Sequence, residues 1–346
     1  METTRKNTMT NIFEIKRLLS LAVLLTLFAA CDHDTDPDGP SLFDRFAPLE
    51  LLDTLESSTV QVDFSAGESM SFTAQFNKNI EWVLTITGQN SGAVKTFSAF
   101  DRFVEPSNAT WTGGTTDLPL FRTEPCTVVL TAPDEDPDFG DTLTVEILGT
   151  KEYDGVLVTD FENDPGANIQ LGDFEFELAN SGRRNDTIAA QGEYFYRLAG
   201  TDNASGGPTD NFFVGLARIF APIAGDTYFQ VPTTVPENLY LNLFVSGRPT
   251  PYTRIVLGLI IDSNDSGVFE EGPDAVRSLE FDPTYSGWRL QSFTAADFGA
   301  SQAELEKVVG IEAVLISLNN LQPDPREEVG FEMDFLIFTQ FGPLEL

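Results

Sequence analysis

The stretch "DSNDSGVFEEGPD", Asp262 to Asp274, has the residue types and spacing that come nearest to a chemical site in this chain. Oxygen-ligand calcium loops place carboxylates or amides at alternate positions, a glycine at the sharp bend and a later acidic residue to close the sphere. Asp262, Asn264, Ser266 and Gly267 take the first, third, fifth and sixth positions of such a loop. Val268 can offer its carbonyl, and Glu270, Glu271 or Asp274 can close the site. The twelfth position is Pro273, where a glutamate is needed, and no helical pattern flanks the loop. A helix–loop–helix calcium hand is therefore excluded. Two readings stand: a strand-connecting loop folded round Ca²⁺, and a polar hairpin that binds nothing.

A second chemistry is sugar recognition, in which flat aromatic faces stack on pyranose rings beside groups that bond hydroxyls. Tyr252 lies in the proline-rich "RPTPYTR", and Tyr285, Trp288 and Arg289 lie together in "TYSGWR", with Tyr228 and Arg254 behind them. Trp288 fits a sandwich core as readily as an exposed platform.

Other chemistries are excluded or left undistinguished. The chain has one histidine, His33, and two cysteines, Cys31 and Cys126. Ser-His-Asp, Cys-His and multi-histidine metal sites cannot be assembled from that set. Paired carboxylates for glycoside hydrolysis are not singled out by any stretch, because 54 acidic residues make chance pairs unavoidable. Against those stand 20 basic residues, for a formal charge of −34, and such a surface repels nucleic acid. Cys126, in "TEPCTVVLT", reads as a small buried hydrophobe.

The elements that must position these residues are strands. Hydrophobic residues make up 41% of 346 residues, enough for two cores, and many of the 29 phenylalanines sit in alternating runs. "TVQVDFSAG" puts Val60, Val62 and Phe64 on one face before Gly67 turns the chain. "SMSFTAQF" and "IEWVLTITG" are predicted as two further strands, followed by "CTVVLTAP" and "TLTVEILG". Between the last two, "APDEDPDFGD" (132–141) is a hairpin tip or a metal loop. From Gly155 onward come "GVLVTDFEND", "DFEFELAN", "YFYRLAG", "FFVGLARI", "LYLNLFVSG", "RIVLGLIID", "RSLEFDP", "GWRLQSF", "IEAVLISL" and "VGFEMDFLIFTQF". One short helix is predicted, from the Ser301–Glu304 capping box before "LEKVV", with Gly310 able to end it. The fold class is all-β, as two sandwiches over 53–150 and 155–346.

Several stretches resemble known families. Lys16 and Arg17 precede "LLSLAVLLTLFAA", an apolar run too short to span a bilayer, which ends at Ala29, Ala30 and Cys31. This resembles the lipobox of bacterial lipoproteins, and implies a signal peptide over 1–30, lipidation of Cys31 and an acidic tether over 31–52. The aspartates after Cys31 resemble an export signal to the outer cell surface, while Asp32 directly after the cysteine also resembles an inner-membrane retention signal; domains built like external binding modules favour the first. Gly88, Ser91, Gly92 and Val94, with Trp111 and Gly113 later, resemble Ig-like modules of the flagellar hook-cap type, as turn and packing positions. "DFEND" (160–164), "YLNLFVSG" (240–247), "GWRLQSFTAADFG" (287–299) and "FEMDFLIF" (331–338), in that order, resemble the galactose-binding-like jelly rolls of carbohydrate-binding modules. That resemblance implies a structural Ca²⁺ between first and last strands, at Glu162 and Asp334; otherwise Asp334 faces solvent. "DTL" at 53–55 and 141–143 and "DTI" at 186–188 resemble an O-glycosylation sequon of Gram-negative surface proteins.

Together these features lead to an expectation: an outer-membrane, lipid-anchored and cell-surface protein without enzymatic activity. It holds a polysaccharide or oligosaccharide near an uptake complex. The alternative is a structural or adhesive lipoprotein that binds a protein partner.

Overall fold

In the computed structural model, the described residues are 48–163, 169–173, 180–201, 212–221, 228–322 and 327–346. The expected signal peptide, Cys31, His33, Asp164 and most of "DFEFELAN" lie outside them. Residues 49–346 form one compact unit; β3 and β6 alternate buried and less buried side chains, whereas the central strands of the second half are buried on both faces.

Seven strands make the first sheet: β1 (Leu51–Ser57), β2 (Gln61–Asp63), β3 (Met70–Gly88), β4 (Val94–Val104), β5 (Thr110–Trp111), β6 (Pro125–Ala132) and β7 (Asp136–Gly149). Their order is β1-β3-β6-β7-β2, with β4 and β5 also on β3; β2 runs parallel to β7 and the other pairs are antiparallel. The two strands predicted over 70–88 are one strand of 19 residues. Asn77-Lys78-Asn79 looks like a break, yet Lys78 keeps the inward phase and is buried, its ammonium 2.5 Å from Glu135. The expected inward face of Val60, Val62 and Phe64 is also corrected. Val60 is 70% exposed and only Val62 lies in the short β2. Phe64 opens a 3₁₀ turn that Gly67 ends in the left-handed region. The 132–141 stretch is the β6–β7 hairpin.

The core of this sheet gathers Phe72, Phe76, Trp82, Trp111 and Cys126, all fully buried. Burial pushes the Cys126 thiol up to about 12, so it stays an inert hydrophobe. The glycine-rich turn after β3 has a specific cause. The buried Glu124 carboxylate accepts from the backbone N–H groups of Asn90, Ser91 and Arg122. A Cβ at Gly88 would lie 2.5 Å from that carboxylate.

The second half has β8 (Val156–Thr159), β9 (Ile169–Asp173), β10 (Gly182–Arg184), β11 (Phe195–Gly200), β12 (Phe212–Phe220), β13 (Leu239–Ser246), β14 (Thr253–Ile261), β15 (Ala275–Phe281), β16 (Trp288–Thr294), β17 (Val308–Ser317) and β18 (Val329–Gln340). They form a six-stranded sheet, β10-β11-β18-β13-β16 with β8 on β18, and a five-stranded sheet, β15-β14-β17-β12-β9. One core lies between them, with Leu241 and Leu243 of β13 and Phe331 and Met333 of β18 opposite Ile255, Leu257 and Leu259 of β14. Each such side chain contributes roughly 1.5–3 kcal/mol by burial.

The helix α1 (Gln302–Leu305) begins at the expected capping box but lasts one turn. Gly310 does not end it. It sits inside β17, paired with Phe220 and Ile260, where a Cβ would meet the Phe220 ring at 3.0 Å.

The outer face of the six-stranded sheet is covered. Leu118 and Leu120, from the segment after β5, and Leu344 and Leu346 pack on Phe244, Phe335 and Ile337. Leu120 N–H donates to Ala190 O at 2.7 Å, and the Lys151 ammonium donates to Glu345 O at 3.1 Å.

Candidate functional site

The loops after β13 and after β15 meet at one end of the second sandwich. Arg248 N–H donates to Pro283 O at 3.1 Å. Gly247 permits the approach, since a Cβ there would lie 2.1 Å from Pro283 O. This contact brings the regions of Tyr252 and Tyr285 to the same end.

Tyr285 is half-buried. Its hydroxyl donates to Val245 O at 3.4 Å and accepts from Gln291 Nε2 at 3.0 Å. Burial pushes the phenol up to about 12, so it remains a neutral donor. The guanidinium of the exposed Arg289 lies 4.3 Å from the centre of the Tyr285 ring. Arg289 and Gln291 share a face of β16 by the two-residue period, which is the signal that could have found Gln291. On β14 of the other sheet, Arg254 clasps Asp282 with two bonds of 2.7 and 3.0 Å and Glu280 with a third of 3.0 Å.

The other two aromatic candidates are engaged in packing. Trp288 points to the opposite side of β16, edge-on to Phe195 at 5.7 Å, and its Nε1 donates to Ile188 O at 2.8 Å. It belongs to the covered outer face, not to a free platform. Tyr252 is half-buried against the sandwich core, and its carbonyl accepts from Leu318 N–H at 2.8 Å.

The 262–274 loop is organised by Asp262, which is fully buried. Its carboxylate accepts from the N–H groups of Asn264 and Ser266 at 3.2 Å each and of Gly267 at 2.7 Å, and from Tyr228 Oη at 2.8 Å. These bonds outweigh burial and hold the Asp262 carboxyl below its usual range. Asp274 accepts from Ser263 and Glu270 N–H groups, Glu270 from Asn264 Nδ2, and Ser266 Oγ donates to Val268 O. Glu271 is drawn away to Arg218 at 3.0 Å. The loop thus brings Asp262, Asn264, Ser266, Val268, Glu270 and Asp274 together, with their oxygens accepting from donors of the loop itself and from Tyr228. Sequence reasoning missed the cluster that seats it: Arg218 lies over Phe269 at 4.7 Å, Phe269 stacks on Phe220 at 6.1 Å, and Glu312 bonds Arg218 Nε at 2.6 Å.

Asp334 does not face solvent. It is fully buried, and its carboxylate accepts from Gln191 and Phe335 N–H groups at 2.8 Å each. Glu162 accepts from Glu193 and Tyr194 N–H groups, also at 2.8 Å each. One short segment, Gln191–Tyr194, therefore holds both carboxylates. Burial, together with the charge of Glu162, raises the Asp334 carboxyl well above its usual range. Gln191 Oε1 is buried and has no hydrogen-bond partner among the described residues. Among the described residues, no group of three or more His, Cys, Asp or Glu side chains comes together as a metal cage. Thr54, Thr142 and Thr187 of the three sequon-like triplets are all exposed.

No protein-family model matches this chain, and no curated protein matches it in sequence. It is similar to several solved structures. One, described under the promiscuous specificity of carbohydrate-binding modules of the β-sandwich superfamily, is 10% identical over 85% of this chain and 98% of that chain, with a TM-score of 0.36. Another is SGBP-B from a complex xyloglucan utilization locus in Bacteroides uniformis, 12% identical over 85% of this chain and 73% of that chain, with a TM-score of 0.37. A third is the family 11 carbohydrate-binding module from Clostridium thermocellum with a β-1,3-1,4-mixed-linked tetrasaccharide, 14% identical over 55% of this chain and 97% of that chain, with a TM-score of 0.33.

Proposed function

We propose that this protein is a surface-anchored lipoprotein that binds carbohydrate without transforming it and supports polysaccharide capture. The observation that carries the reading is the Tyr285–Arg289–Gln291 cluster. It combines an aromatic ring, an exposed guanidinium and an amide on one strand edge, the set of groups that sugar rings and their hydroxyls use. The single histidine and the inert Cys126 favour binding over catalysis. Affinity gel electrophoresis across a polysaccharide panel tests it. Tyr285→Ala and Arg289→Ala should each weaken retention by about tenfold, equivalent to about 1.4 kcal/mol. Retention unchanged in both variants counts against the site. Failure of the folded parent across the panel favours the adhesive alternative.

The lipid anchor rests on Cys31 alone. Cys31→Ala should move the protein from the membrane to the soluble fraction, since each buried acyl methylene contributes roughly 0.8 kcal/mol. For Ca²⁺, the Glu162–Asp334 corner fits better than the 262–274 loop. It has a buried carboxyl short of stabilising charge, bonded by the backbone N–H of Gln191, whose own amide oxygen is buried with no partner among the described residues. Bound there, the ion would supply charge neutralisation. Added Ca²⁺ should raise the melting temperature of the parent and leave Asp334→Asn unmoved.

A further inference from the structure

The solvent face of the first sheet carries a feature that the Tyr285 reading does not use. Reading the register across four strands, Thr87 faces Val94 on β4 and Thr127 on β6, which in turn faces Thr144 on β7. The next row is Thr85 between Thr96 and Val129, with Thr142 beyond. The third is Val83 between Ser98 and Thr131, with Gly140 beyond. Not one of these positions is charged, in a chain where 21% of residues are. Their inward neighbours Leu84, Ile86, Val128 and Leu130 form the core, so the rows face out. The face ends at Glu81 with the 73% exposed Phe100 on one side, at Glu146 on the other, and at the exposed Asp117, bridged to Val94, along the β4 edge.

Strands lie about 4.8 Å apart and same-face residues about 6.7 Å apart along each, so the rows form a grid about 14 Å on a side. Thr131 bonds Val83 O, and Gln89 Nε2 reaches Thr127. The hydroxyls of Thr85, Thr96, Thr142 and Thr144 carry no protein hydrogen bond among the described residues. Threonine is a good strand former, which accounts for its presence. The absence of charge needs another reason. Protein-binding surfaces enrich aromatic residues, Met and Arg and deplete Ser, whereas this grid has none of the first group. An acidic chain that keeps the middle of one sheet face free of carboxylates, and covers it with regularly spaced hydroxyls and methyls, complements an uncharged polyol.

We propose that this threonine face is a second binding surface, and that its ligand is an extended, uncharged polysaccharide lying across the strands. It stands on a different sheet from the Tyr285 cluster, and either can fail without the other. The test is affinity gel electrophoresis of the full chain through an uncharged β-glucan and, separately, polygalacturonate. The combined variant Thr85→Val, Thr127→Val, Thr142→Val keeps strand propensity and shape while removing hydroxyls. Thr85→Glu with Thr127→Glu adds charge. Both should lower affinity for the uncharged glucan at least tenfold with unchanged melting temperature, on top of any loss in Tyr285→Ala. Parent-like retention of the valine variant overturns the proposal, as does equal retention of the parent by polygalacturonate or none by the glucan. A parent dimer in light scattering that the glutamate variant splits would overturn it in favour of a self-association face.

Discussion

Asp262 and Asp334 are both fully buried aspartates at the ends of strands or within them, and their protons are held in opposite senses. Asp262 sits in a loop that turns three N–H groups and a phenol toward it. Asp334 sits in β18, where the ladder has used most backbone donors, and it shares its corner with Glu162. Burial penalises the charge of both; the supply of donors decides in which direction each carboxyl is shifted. A loop can be bent around a carboxylate, whereas a strand offers only what its neighbours have left over.

The largest effect expected from this contrast is at the donor-rich site. Asp262→Ala leaves several buried N–H groups without an acceptor and should cost about 3 kcal/mol in denaturant unfolding. A loss below about 1 kcal/mol would mean that the loop holds its shape without the carboxylate. Next is Gly192→Ala. Gly192 has φ of +58°, and a Cβ there would lie 2.2 Å from the Glu162 carboxyl carbon, so about 2 kcal/mol should be lost by chemical unfolding. An unchanged midpoint would show that Glu162 moves freely away.

Asp334→Asn tests the donor-poor site through its pH dependence. The folded carboxyl holds its proton above the usual range, so the stability it contributes is complete below the unfolded value of 3.8 and falls as pH rises through the folded one. In calcium-free buffer the stability of the variant should vary less with pH above 4 than that of the parent, while its Nδ2 faces one of the two backbone N–H groups that the Asp334 oxygens accept. A variant with the parent's pH profile would remove Asp334 as the source. Asp262 runs the other way, with stability present at neutral pH and lost as pH falls through its lowered value. The smallest effect is that of Tyr228→Phe, about 0.5–1 kcal/mol. In the parent, ultraviolet titration should find two phenols near 12, that of Tyr285 and that of Tyr228, and this variant should lack the second, which Asp262 holds there.

Much of the strand framework was legible because alternation survives along it. It misled at Lys78, a polar residue that keeps its inward phase through an ion pair with Glu135, 57 residues away. Gly310 misled too, since a glycine in a tight strand pair looks in sequence like a helix stop. Tyr285 and Arg289 were found as neighbours in sequence and are neighbours in space. Trp288, between them, faces the other way for the same two-residue reason that joins Arg289 to Gln291. The Arg218 cluster could not be read at all, because its acidic partners lie 94 and 53 residues along the chain.

The apolar cover on the six-stranded sheet, with Leu120 and Leu344 on Phe244 and Phe335, has a further consequence. It removes the slack between the two halves. If the two faces proposed to hold carbohydrate both do so, they would then act at a fixed separation on one long chain. The second contact would follow the first at a local concentration set by that geometry, so weak individual contacts would combine into slow release.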